Sequence, residues 1–181
     1  MTTYSDYRYY ARPVWKQDSS GLWVAIPPTD PLAEPVEATS LCEIQLSEPT
    51  ARLASLAPAV SFIESPVSYS PDGEYLIYLK DTGEPTAHLR ELVISKPDGS
   101  GAWVYQRDYL LKFIGWSSDS KRFVYTVGED QSAWLGDIQA PAIEMLAELN
   151  PLTQLKWIDS DHFLFTRVNL DKVDLYLGNL E

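Results

Sequence analysis

Apolar residues in this chain come in short runs, and four of those runs follow a polar turn that an aromatic residue introduces. The four copies read Trp15-Lys-Gln-Asp18-Ser-Ser-Gly-Leu-Trp-Val-Ala25, Tyr69-Ser-Pro-Asp72-Gly-Glu-Tyr-Leu-Ile-Tyr78, Trp116-Ser-Ser-Asp119-Ser-Lys-Arg-Phe-Val-Tyr125 and Trp157-Ile-Asp159-Ser-Asp-His-Phe-Leu-Phe165. The runs Leu22 to Ile26, Tyr75 to Leu79, Phe123 to Val127 and Phe163 to Phe165 are apolar on both strand faces. A half-solvated strand alternates, so unbroken runs of this length predict strands covered on both faces.

From one leading aromatic to the next the steps are 54, 47 and 41 residues. Units of roughly 40–50 residues built from four short strands are the sequence mark of a β-propeller. The expectation is therefore an all-β fold of about four blade-like, four-stranded antiparallel units in one domain. The units run over about 12–57, 65–108, 112–149 and 153–181, with 1–11 as a candidate closing strand. In the second unit, strands are predicted at Val67 to Ser70, Tyr75 to Leu79, Leu89 to Ser95 and Ala102 to Arg107. The segment Pro141 to Asn150 reads either as a helical turn or two or, by its place in the unit, as an outer strand.

The turn chemistry is specific. In Pro71-Asp72-Gly73 proline presets φ, the aspartate accepts from amides two residues on, and glycine takes the left-handed position. Ser118-Asp119-Ser120 is expected to do the same work without proline or glycine.

The pattern at Pro66 to Tyr78, Pro-x-Trp/Tyr-Ser-Pro-Asp-Gly-x-x-Leu-x-Tyr, resembles the TolB-type, WD-repeat-like propeller repeat. Bacterial TolB proteins carry it, as do the propeller domains of prolyl-oligopeptidase and dipeptidyl-peptidase-like enzymes. Together the units cover about residues 12 to 178. The resemblance implies a platform for other proteins or an accessory domain, with no catalysis in the propeller itself. Propellers of that family generally have six or more blades, and the fourth unit here stops after its third strand, Val173 to Gly178. Closure by Tyr4 to Tyr10, membership of a larger ring (the favoured reading) and completion by a second copy are the three outcomes that follow.

Composition refines this picture. Eleven Tyr, six Trp and five Phe suit pleated surfaces packed face to face. Acids outnumber bases by 26 to 14, for a net charge of −12, which disfavours nucleic acid and anionic membranes as partners. The opening residues lack the apolar run of a signal peptide, and no stretch is long enough to span a bilayer. As written, the chain is expected to be a soluble, cytoplasmic protein, or an extracytoplasmic one if it is cut from a longer exported chain. Cys42, the single cysteine, shares a strand face with Ile44 and Leu46 and is expected to be a buried small residue, not a nucleophile.

Motifs for chemistry do not emerge. Gly99-Ser-Gly101 lacks the helix and spacing of a nucleophile elbow, and the two histidines, His88 and His162, have no metal-ligand spacing. Asp159, Asp161 and His162 fall where the other units place their turn aspartate. The expectation is a protein with no enzyme activity and no cofactor. A sugar-binding propeller is a further alternative. One surface is singled out: loops between second and third strands share one edge of such a fold. They hold Asp30, Glu34, Glu37, Asp81, Glu84, Glu129, Asp130 and Asp171 against only Lys80 and Lys172. An electronegative rim of this kind suits a basic protein partner. The first of these loops, 27–39, carries four prolines and no strand or helix pattern. The leading aromatics Trp15, Tyr69, Trp116 and Trp157 are expected to pack between sheets.

Overall fold

Each aromatic–turn–apolar copy folds as the first hairpin of an antiparallel meander. The computed structural model describes residues 13–26, 40–46, 52–55, 67–82, 89–140, 144–146, 154–169 and 172–180. Four sheets form in chain order. The first has strands β1 (Val14–Trp15), β2 (Gly21–Ile26), β3 (Ser40–Gln45) and β4 (Arg52–Ser55). The second has β5 (Ser68–Tyr69), β6 (Leu76–Asp81), β7 (Leu89–Ser95) and β8 (Trp103–Tyr109). The third has β9 (Lys112–Trp116), β10 (Arg122–Val127), β11 (Ser132–Asp137) and β12 (Glu144–Met145). The fourth has β13 (Gln154–Trp157), β14 (His162–Asn169) and β15 (Lys172–Asn179). Strands follow one another in space as in sequence in every sheet. Among the described residues every regular element is a strand. Glu144–Met145, within the segment with two sequence readings, is a strand paired with Trp134 and Leu135.

The chain divides into two compact units, Met1–Tyr78 with Ile94–Trp103 and Leu79–Val93 with Val104–Glu181. In the first, Leu41, Leu76, Ile77 and Ile94 are fully buried, joined by Ala25, Val67 and Tyr69. Cys42 is buried there too, and that burial pushes its thiol pKa up. A charged pair also holds this unit. Lys16 Nζ donates to the buried Glu43 carboxylate at 2.6 Å and lies 5.0 Å from the centre of the Trp23 ring.

In the second unit β10 is buried from Phe123 to Thr126, as expected for a strand covered on both faces. One face carries Phe123 and Tyr125, against which the Tyr105 ring packs at 5.0 and 6.2 Å. The Tyr105 hydroxyl accepts from the Asp137 amide and donates to the Ala140 carbonyl. The other face carries Val124, which clusters with Ala133, Phe163 and Phe165, flanked by Leu135, Leu155 and Trp157. Thus the fourth sheet stacks on the third. Burying each such side chain contributes about 1.5–3 kcal/mol, so this stack is a main source of the unit's stability.

One device recurs. Phe123 lies opposite Gly136, and Phe163 opposite Gly178, in the cross-strand register. A Cβ on Gly136 would come within 2.5 Å of the Phe123 ring, and one on Gly178 within 2.3 Å of the Phe163 ring. Each ring therefore lies flat across a strand that a side chain would obstruct.

Candidate functional site

The turn aspartates are built into their own corners. Asp72 Oδ1 accepts from Ser70 Oγ at 2.5 Å and from the Glu74 amide at 3.0 Å. Ser70 Oγ in turn accepts from the Tyr75 amide, and Gly73 takes φ +74°. Asp119 repeats the pattern, accepting from Ser117 Oγ at 2.6 Å and the Lys121 amide at 3.1 Å, while Ser117 Oγ accepts from the Arg122 amide. Ser120 occupies the left-handed position at φ +63°, so a serine does what glycine does in the second sheet. Asp18 accepts from Ser20 through both its hydroxyl and its amide. Ser20 holds the Asp18 carboxyl below the usual range, through its hydroxyl first and then its amide.

Asp159, Asp161 and His162 belong to the same class. Asp159 Oδ1 accepts from the Asp161 and His162 amides, each at 2.8 Å, and lies 2.9 Å from His162 Nδ1. The Asp161 amide bond is the main cause of the lowered Asp159 pKa. Asp161 pairs with Arg122 at 2.7 Å, which ties the β13–β14 turn to β10 and lowers the Asp161 pKa. Among the described residues, no three of His, Cys, Asp and Glu converge as they would around a metal ion.

Of the eight rim acids, Asp81, Glu129 and Asp130 lie within the described residues, and Asp30, Glu34, Glu37, Glu84 and Asp171 lie outside them. Asp81 ends β6, and Glu129 and Asp130 are exposed in the turn between β10 and β11. Asp81 thus closes the second strand of its sheet, whereas Glu129 and Asp130 follow theirs. That turn is tight, with Gly128 at φ +73° and Gln131 at φ +53°. Gln131 Nε2 donates to the Gly128 carbonyl at 2.8 Å and fixes the tip. Asp130 accepts from Ser132 Oγ at 2.6 Å and from the Ser132 amide. The hydroxyl first, and the amide second, hold the Asp130 carboxyl below its usual pKa. Asp130 thus favours its ionised form more than a free aspartate does, with Glu129 beside it open to solvent.

The leading aromatics divide. Tyr69 and Trp116 are buried, and Trp157 packs edge-on to Phe163 at 5.4 Å. Trp15 departs from expectation: it is 58% exposed. The second unit also holds an open depression of about 440 Å³. Phe113 and Ile114 line it from β9, Leu155 and Lys156 from β13, and Leu175 from β15. It is mainly apolar, with one cation among its lining residues, and sequence reasoning missed it because its walls come from separate strands.

No family model matches this sequence, and no curated relative matches it either. Solved structures do match. A protein assigned as TolB from Agrobacterium tumefaciens superposes with a TM-score of 0.60 at 16% identity, covering 94% of this chain. The β-propeller domain of the Trilobed protease from Pyrococcus furiosus gives 0.58 at 14% identity, again over 94% of the chain. The fold is that of a β-propeller. Its four sheets are consecutive blades, and the structural likeness to TolB matches the family that the Pro66–Tyr78 motif resembles. The chain spans 58% and 54% of the lengths of those two proteins, so it accounts for part of such a propeller. A puromycin-hydrolyzing peptidase of Mycobacterium tuberculosis also matches, at a TM-score of 0.60 and 13% identity over 31% of its length. Among the described residues no helix is long and apolar enough to cross a membrane.

Proposed function

We propose that this chain is a non-catalytic propeller module that docks a basic protein on the acidic edge after the second strand of each blade. The observation that carries the reading is the β10–β11 tip, where Glu129 and Asp130 stand exposed and Ser132 keeps Asp130 ionised. A fixed, solvent-facing pair of carboxylates on a rigid hairpin steers a cationic partner and contributes mainly to the rate of encounter. The net charge of −12 adds to that field.

The test is fluorescence anisotropy with a lysine- and arginine-rich peptide, comparing the wild-type chain with a variant whose eight rim acids are replaced by their amides. A control variant loses eight acids elsewhere, Glu74 and Asp174 among them. The reading expects at least about a tenfold loss of affinity for the rim variant and a much smaller loss for the control. Equal losses would show that net charge alone attracts the peptide, and would remove the rim as a site.

A second reading is an accessory, substrate-gating domain of a serine peptidase. The likeness to the M. tuberculosis peptidase and to prolyl oligopeptidase B from Galerina marginata supports it. It expects a Gly-x-Ser-x-Gly nucleophile elbow encoded in the same reading frame. A frame without one would discard it.

A further inference from the structure

The chain has two Asp-Gly bonds, Asp72-Gly73 and Asp98-Gly99, and both lie in turns of the second sheet within the first compact unit. An aspartate followed by glycine is open to backbone rearrangement, because no side chain shields the glycine nitrogen from the aspartate carboxyl. The nitrogen attacks the carboxyl carbon, a new N–Cγ bond forms, and the amide proton leaves with the carboxyl OH as water. Water then adds to the five-membered ring at the main-chain carbonyl and breaks that carbon's bond to nitrogen. The product is an isoaspartyl linkage. The sum consumes no water and needs no other reactant.

The two turns share one geometry. Gly73 donates its amide to the Ser70 carbonyl at 2.9 Å and Gly99 to the Lys96 carbonyl at 2.8 Å, with φ at +74° and +81°. A nitrogen bonded in this way aims its proton away from the aspartate, so the attack requires the turn to open first. What opposes opening differs. At the first turn Ser70 is fully buried, its hydroxyl donates to Asp72 at 2.5 Å, and the same oxygen accepts from the Tyr75 amide at 3.0 Å. Gly73 is buried too, and a Cβ on it would lie 3.1 Å from the Trp15 carbonyl oxygen. At the second turn the exposed Lys96 stands where Ser70 stands in the first. From Lys96 to Gly101 no residue is buried, and Asp98 accepts from the amide of the exposed Ser100 at 2.9 Å.

We propose that Asp98-Gly99 is a site of spontaneous isoaspartate formation in the folded protein, and that burial and Ser70 protect Asp72-Gly73. A solvent-exposed hairpin turn opens by local fluctuation, whereas freeing Asp72 and Gly73 disrupts hydrogen bonds of a fully buried serine. Ser100, through its hydroxyl first and its amide second, holds the closed Asp98 carboxyl below its usual pKa. Opening releases those bonds and lets the carboxyl take up the proton that departs with the leaving water. The product lengthens the main chain by one methylene between Asp98 and Gly99. The Gly99–Lys96 bond and the Lys96–Ser100 bond that close the hairpin between β7 and β8 are then lost.

The experiment incubates the full chain for several weeks at neutral pH and body temperature, folded in buffer and unfolded in urea. Digestion with a protease that cleaves before aspartate but not before isoaspartate, followed by mass spectrometry, counts the product at each site. In the folded chain position 98 should convert at least about tenfold faster than position 72. In urea the two Pro-Asp-Gly sequences should convert at rates within about twofold of each other, since the difference belongs to the fold. An Asp98→Glu variant, whose longer side chain disfavours the five-membered ring, should lose the product at 98 and keep the low yield at 72. Equal conversion of the two sites in the folded chain, or faster conversion at 72, would overturn the proposal. So would a folded chain unconverted at 98 after the urea sample has reacted.

Discussion

At the scale of single residues, the turns carry the most legible chemistry in the sequence. The Ser-x-Asp pairs Ser70/Asp72 and Ser117/Asp119 bond identically in the two sheets, although one turn has proline and glycine and the other has neither. Ser117 is fully buried and its hydroxyl satisfies the Arg122 amide. Ser117→Ala leaves that amide unpaired and should cost about 1–3 kcal/mol in urea denaturation. An exposed serine such as Ser118 should tolerate the same change within about 0.5 kcal/mol. The carboxyls of Asp18, Asp98, Asp130, Asp159 and Asp161 all have lowered pKa values in the fold, through bonds to Ser20, Ser100, Ser132, the Asp161 amide and Arg122 respectively. A depressed folded pKa contributes stability that is present above the ordinary aspartate value, near pH 4, and lost as pH falls through the lowered values. Thermal midpoints should therefore hold from neutrality to about pH 5 and fall steadily below pH 4. A midpoint that rises on acidification would contradict these assignments. What the sequence concealed at this scale is which acids are free: Glu129 and Asp130 look alike in the chain, yet Asp130 is committed to its turn by Ser132.

At the scale of elements, the apolar runs predicted the strands well because two-sided burial leaves an unbroken hydrophobic signature. Leu89–Ser95 has the expected bounds, and β10 is buried from Phe123 to Thr126. Register was not legible, since nothing local states which residue faces which across a hairpin. The Phe123–Gly136 and Phe163–Gly178 pairs belong to that hidden class. Phe123 is fully buried among Tyr105, Trp116 and Tyr125 and has little room to retreat. Gly136→Ala should then destabilise by about 1–3 kcal/mol, an overpacking cost readable as a shifted urea midpoint with unchanged m-value. Gly115→Ala is the matched control, because an added Cβ there meets nothing within 4 Å. The exposure of Trp15 was also illegible, since its environment is set by whatever covers the first sheet and not by its own turn.

At the scale of the whole molecule, repetition is the dominant fact: one aromatic, one polar turn and one buried run, reused until four blades stand in series. The spacing of the copies was enough to reach a propeller from sequence, and solved propellers match over nearly the full chain. Function is less legible because a propeller's partner is chosen by loops, and five of the eight rim acids lie outside the described residues. The central claim, that successive blades share one register, is tested most directly by proton NMR of the two glycines that face phenylalanine rings. Gly136 and Gly178 α-protons beneath the Phe123 and Phe163 rings should both be shifted strongly upfield, with cross-strand contacts to those phenylalanines and to no other residue on β10 or β14 in the paired position. Glycine resonances at ordinary shifts, or contacts displaced by one residue in either sheet, would contradict it.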